Sequence, residues 1–281
     1  MMSASNHRID SHQHFWKYDA QDYPWIGQNM IVLKRDYLPA DWSEAQGQTP
    51  FQSSIAVQAR QSLHESRWLL ELADHHDSIV GVVGWVDLCA PTVGRDLEAL
   101  ARHPKFVGVR HVVQEEPDVR FMMQPVFLRG ISLLEPLGLT YDILIFPNQL
   151  PAAIELARQF PSQPFVLDHI AKPHIKQNLT EPWSEQIAEL AACPNVYCKL
   201  SGMLTEAVWG QWRPEQFKPY FDCVWQAFGP DRLMIGSDWP VCLLAASYSD
   251  AMQLVIDDAR TRGPTALDGL LGGNAKRFYL G

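Results

Sequence analysis

The chain has 281 residues, 47% of them hydrophobic and 20% charged, which is enough apolar material for one large α/β domain with a sizeable core. Its formal net charge of −9 argues against nucleic acid or an anionic membrane as the main partner, because both require a positive footprint. No apolar run nears the roughly 20 residues of a membrane span. Residues 1–6 are polar and do not read as a signal peptide. The five cysteines, odd in number and without CxxC spacing, read as reduced thiols of a cytoplasmic protein.

Short apolar runs recur along the whole length. The first, residues 8–11, is weak in itself and is assigned by its position before His12 and His14. Residues 54–57, 79–86, 106–109, 139–146, 165–167, 196–200 and 232–235 follow. They are rich in Val, Ile, Leu and aromatics, bounded by turn residues, and too short for helices. Helical spacing fills the gaps. Leu63, Leu69, Leu70 and Leu72 share one segment, Leu97 and Leu100 the next, and Ile154, Leu156 and Ala157 a third. Residues 182–192 open with a proline near the start, where a helix tolerates one. Phe217, Phe221, Val224, Trp225 and Phe228 then make a broad apolar stripe.

A strand and helix alternation repeated eight times predicts a parallel sheet, and at this length a closed (β/α)8 barrel of the TIM type. A doubly wound open sheet would want a glycine-rich phosphate loop after its first strand, and His12-Gln13-His14-Phe15-Trp16 is nothing like one. No Ser/Gly-rich linker interrupts the pattern, so residues 1–281 are read as one domain. The connection from Phe15 to about Gln52 carries Trp16, Tyr18, Tyr23, Trp25, Tyr37 and Trp42. A connection that long is usually functional, and it is expected to form an aromatic lid over the barrel mouth.

Chemistry in such a barrel belongs at the C-terminal ends of the strands. Read in order, those ends offer His12 and His14, Gln58, Trp85 and Asp87, then Arg110 and His111. Strand 5 gives Phe146, Pro147 and Asn148; strand 6 gives Asp168, His169 and Lys172; strand 7 gives Lys199 and Ser201. The last gives Ser237, Asp238 and Trp239. His12 and His14 are two apart, so on an extended strand both rings face one side and can meet one metal or one substrate. Asp238 could be a turn-forming or capping aspartate, or a general base on water. His169 could be a satisfied core histidine, or could polarise a carbonyl. Asp168 suits orienting a neighbour, Arg110 and His111 suit binding a substrate oxygen, and His75 and His76 read as solvated beside a helix end. There is neither a GxSxG nucleophile elbow nor a P-loop.

The segments His-Gln-His-Phe-Trp, Gly-Val-Arg-His, Leu-Asp-His-Ile-Ala-Lys-Pro, Lys-Leu-Ser-Gly and Gly-Ser-Asp-Trp-Pro resemble the lactonase branch of the amidohydrolase superfamily. The resemblance runs from Asp10 to the C-terminal Gly-Asn-Ala-Lys-Arg-Phe-Tyr. It implies His12 and His14 as the strand-1 pair, Asp238 as the strand-8 acid and His169 as the strand-6 histidine. Strand 4 lacks a bridging Lys or Glu and strand 5 lacks a histidine. The set that remains, His12, His14 and Asp238, could hold one Zn2+ with an open position, or the site could work without metal, the reading favoured at this point. The implied reaction is lactone hydrolysis, with Asp238 activating water and His169, Arg110 or His14 stabilising the oxyanion.

Trp16, Trp25 and Trp239, with polar partners such as His111 and Lys172, suit a neutral sugar lactone. Together with the resemblance they favour a 6-deoxy sugar lactone such as L-fuconolactone or L-rhamnonolactone, and the resemblance would place the protein in carbohydrate metabolism such as L-fucose degradation. The alternatives are a zinc-dependent decarboxylase of the aminocarboxymuconate type, a hydrolase of a pyrone dicarboxylate lactone, and a noncatalytic sugar-binding barrel.

Overall fold

The computed structural model describes residues 8–47 and 49–281; the polar stretch 1–6 and Gln48, within the expected lid, lie outside them. The apolar runs form eight strands: β1 (Ile9–Gln13), β2 (Ser53–Val57), β3 (Ile79–Gly84), β4 (Phe106–Val112), β5 (Thr140–Leu144), β6 (Phe165–Leu167), β7 (Val196–Leu200) and β8 (Leu233–Ile235). All neighbouring pairs are parallel and follow chain order. The seam between β8 and β1 is closed past the strand ends. There the Asp238 amide donates to the His12 carbonyl at 2.8 Å and the His14 amide to the Trp239 carbonyl at 2.7 Å. The Ser11 hydroxyl adds a bond to the Ile235 carbonyl at 2.6 Å. This is a (β/α)8 barrel.

A helix follows each strand: α1 (Pro39–Gln46), α2 (Leu63–His75), α3 (Val93–Ala101), α4 (Pro125–Ile131), α5 (Leu150–Gln159), α6 (Trp183–Ala191), α7 (Lys218–Phe228) and α8 (Tyr248–Arg260). α1 packs on α8, so the ring of helices closes where the sheet does. Two short helices, α9 (Pro264–Asp268) and α10 (Asn274–Tyr279), end the chain. Among the described residues no helix is long and apolar enough to cross a membrane.

Alternation along the strands divides the apolar residues into two bodies. One lies between sheet and helices, where Ala56, Val82, Val109, Ile143, Leu167, Leu200 and Ile235 meet helical residues such as Leu69, Leu97 and Leu190. The other fills the lower barrel: Ile9, Ile55, Val57, Val83, Val107, Val166 and Met234, together with Ala275 and Tyr279 of α10. Each Val, Leu, Ile or Met side chain among these contributes about 1.5–3 kcal/mol when fully buried. The hydrocarbon plug leaves only the upper interior for polar groups, and that space holds the site.

Four C-terminal strand ends differ from the sequence expectation, the first being β1, which runs to Gln13, two residues beyond the expected end at 11. β3 stops at Gly84 and β5 at Leu144, each two residues early, because the chain turns outward into the βα loops there. β4 continues to Val112, three residues beyond the apolar run, because residues 108–112 pair in unbroken register with 140–144 of β5.

Candidate active site

Above the hydrocarbon layer lies a layer of charge. Lys199 of β7, fully buried, reaches Asp142 of β5 at 2.5 Å and Asp168, just after β6, at 3.0 Å. Arg110 of β4 binds the other oxygen of Asp168 at 3.0 Å, and Tyr279 donates its hydroxyl to Asp142 at 2.8 Å. Burial pushes the Asp142 carboxyl up to about 6. Asp168 goes the other way. Burial raises it, but Lys199, His12 and Arg110 together outweigh that and hold it well below the ordinary range. Lys199 serves both carboxylates, but Asp168 has the guanidinium as well, so Asp168 keeps its charge.

His12 stands on this layer. Its Nδ1 lies 3.1 Å from Lys199 Nζ and 3.3 Å from Asp168 Oδ1, and its Nε2 lies 3.2 Å from Arg110 Nη1. His14 is fixed through Nδ1, which donates to the Val57 carbonyl at 2.8 Å. That contact directs Nε2 toward His12 Nε2 and Asp238 Oδ1, both at 3.2 Å. His169 Nδ1 meets the Ser201 hydroxyl at 2.8 Å, and its Nε2 lies 3.9 Å from Asp238 Oδ1. Burial lowers His12 well below its usual value and His169 to about 4, so both are neutral at pH 7. Burial pushes Asp238 up, yet His169, the bond to His14 and the two remaining imidazole contacts hold it below the ordinary carboxylate range. At pH 7 Asp238 is a carboxylate beside the neutral rings of His12 and His169.

Backbone strain sets two of these groups. Asp238 has φ of 55°, and His169, Ile170, Ala171 and Lys172 form a run at 53°, 49°, 60° and 48°. A left-handed conformation costs a non-glycine residue about 1–2 kcal/mol, and such strain collects at functional sites. Behind Asp238, Asp10 accepts from the Ser237 hydroxyl at 2.6 Å and its amide at 2.9 Å, which ties the β8 end to β1.

His12, His14 and Asp238 offer ligand atoms that lie close together. The separations are 3.2, 3.2 and 3.8 Å. Ligands bound tetrahedrally to one ion at about 2.0–2.1 Å stand about 3.4 Å apart. The donor set, two imidazoles and a carboxylate, therefore fits one divalent ion. Arg110 at 3.2 Å from the same His12 Nε2 opposes tight binding, because a fixed cation repels a second one.

These groups floor a cavity of about 890 Å³ whose lining includes His14, Arg110, His169, Lys172, Asp238, Trp25, Glu206 and Trp209. The structure thus gathers His14, Arg110, His169 and Asp238 with Lys172 and Trp25 on the walls, and His12 directly beneath. Three residues expected to meet substrate stand elsewhere. Trp16 is wholly buried within the connection after β1, edge-on to Tyr37 at 5.4 Å and Trp25 at 5.7 Å, with its indole N–H on the Arg35 carbonyl. Trp239 packs between Tyr37 at 5.1 Å and Phe15 at 6.2 Å. Both brace the mouth from behind. His111 follows Arg110 on β4 and so faces outward, stacking on Phe121 at 5.0 Å and binding Glu116 at 2.7 Å. Asp142, Tyr279, Asp10 and Glu206 were not singled out in the sequence. Asp142 had a signal: it stands inside a predicted strand among apolar neighbours, where a carboxylate needs a buried partner.

A family model described as amidohydrolase matches residues 9–280. An L-fucono-1,5-lactonase of Burkholderia multivorans is 44% identical, over 97% of this chain and 95% of its own length. One of Burkholderia ambifaria is 38% identical over the same shares. The crystal structure of an amidohydrolase from Burkholderia multivorans with bound zinc superposes with a TM-score of 0.93 at 44% identity, covering 98% of this chain and 99% of that one.

Proposed function

The chain belongs to the amidohydrolase family, and from that premise we propose that it hydrolyses a neutral sugar lactone, such as L-fucono-1,5-lactone, to the aldonic acid. The observation that carries the reading is Asp238, ionised on the cavity floor with His14 and His169 beside it and Arg110 nearby. The similarity to two L-fucono-1,5-lactonases supports the substrate class, and the cavity is roomy enough for a sugar ring.

In this mechanism Asp238 takes a proton from water as the water oxygen attacks the lactone carbonyl. The carbonyl oxygen gains the charge, and Arg110 donates to it from a position fixed by Asp168. His169, with its Nδ1 accepting from Ser201, can present Nε2–H to the same oxygen. As the intermediate collapses the ring C–O bond breaks, and Asp238 returns its proton to the departing ring oxygen. One water is added and a hydroxy acid leaves. A divalent ion held by His12, His14 and Asp238 would, when bound, lower the pKa of a water and polarise the carbonyl. The cations at His12 argue that turnover does not depend on it.

Proton release from a panel of aldonolactones, with and without exhaustive chelation, tests the reading. Turnover of a deoxy-sugar lactone that survives metal removal, checked by metal analysis, is the expected result. Loss on chelation with recovery on added zinc would keep the reaction and make the ion essential. No proton release from any lactone would sink the proposal.

A further inference from the structure

Glu206 ends the turn Leu204–Glu206 that follows β7 and lines the same cavity as His14, Arg110 and Asp238. It is half-buried. Burial and the nearby Asp238 raise its carboxyl while Lys172 and His174 oppose them, all three charges acting through space, and no hydrogen bond from the described residues reaches it. Lys172 lines the same wall. Its ammonium lies 5.7 Å from the Phe146 ring centre and has no ion partner among the described residues. Lys172 closes the left-handed run from His169, so strained backbone delivers it to the mouth. The hydrolytic chemistry needs neither group: the water, the oxyanion and the leaving oxygen are served from the floor. A carboxylate and an ammonium left without partners in one cavity are complementary to a ligand that donates to one and accepts from the other.

We propose that Glu206 and Lys172 are the specificity-determining pair that reads hydroxyls on the ring of a neutral, polyhydroxylated lactone. Glu206 accepts from one hydroxyl and Lys172 donates to another. This inference rests on the lactonase reading.

The experiment measures kcat/KM for wild type, Glu206→Gln and Lys172→Met on a hydroxylated 1,5-sugar lactone and on δ-valerolactone, the same ring without hydroxyls. Where the plain lactone turns over too slowly to time, its Ki against the sugar lactone replaces kcat/KM. In each variant the preference for the hydroxylated ring is expected to fall about tenfold or more, mainly through KM, as for loss of a hydrogen bond to a charged group. Either variant alone suffices if the other does not fold. An unchanged preference, with both lactones weakened alike or neither affected, overturns the assignment and leaves the lactonase reading standing. Wild-type protein that turns over neither lactone removes the lactonase reading, and this assignment falls with it.

Discussion

His169 occupies its place because residue 202 is glycine. Gly202 adopts φ of +63°, and a Cβ there would lie 2.5 Å from His169 Nδ1. Gly202→Ala would therefore strain the backbone and displace the imidazole. Misplacement of a catalytic group by about 1 Å can cost about 100-fold, so kcat of Gly202→Ala is expected to fall by about that factor, with circular dichroism confirming the fold. An unchanged kcat would mean that His169 has no part in the chemistry. The contrast between Arg110 and His111 is equally local. Consecutive strand residues face opposite sides, so once Arg110 points inward at Asp168 its neighbour cannot share the cavity. That much was legible in the sequence, but placing both at a strand end treated them as one group.

Among the elements, the strands and the residues capping them were readable because order along the chain equals order around the barrel. Depth was harder to read. Asp142 stands in mid-strand and Tyr279 on the last helix, and only the closed barrel brings them to Lys199. The connection after β1 shows the same division. Its length and aromatic content marked it, and Trp25 does line the cavity while Trp16 supports it from below. What fastens it is Glu65 in the first turn of α2, which accepts from the Ala59 and Arg60 amides and from the Tyr23 hydroxyl, each at 3.0 Å. Burial pushes this carboxyl up to about 7 from 4.5. A folded-state value above the unfolded one means that the contribution is complete below about 4.5 and is lost as pH rises through about 7. The stability of wild type relative to Glu65→Gln should therefore shrink from pH 5 to pH 8, by at most about 3 kcal/mol. Urea denaturation at several pH values checks this, and a constant difference would contradict it.

The whole barrel is layered by polarity. Hydrocarbon closed by α10 lies below, a balanced layer of Lys199, Arg110, Asp142 and Asp168 stands above it, and the imidazoles and Asp238 come last, open to the cavity. The buried charges hold His12 and Arg110 in place, and they are an expensive support, since removing one partner of such a pair typically costs about 3–5 kcal/mol. The site also straddles the β8 and β1 seam, where the backbone bonds joining residues 12 and 14 to 238 and 239 close the barrel. Fold closure and site assembly are the same set of contacts. In the proposed reaction Asp238 moves the proton. Asp238→Asn keeps the size of the side chain and removes its basicity. Proton release on L-fucono-1,5-lactone at pH 7 should fall at least about 1,000-fold relative to wild type, within the range for loss of a general base. A variant that retains turnover to within about tenfold would contradict the mechanism, because other groups would then be activating the water.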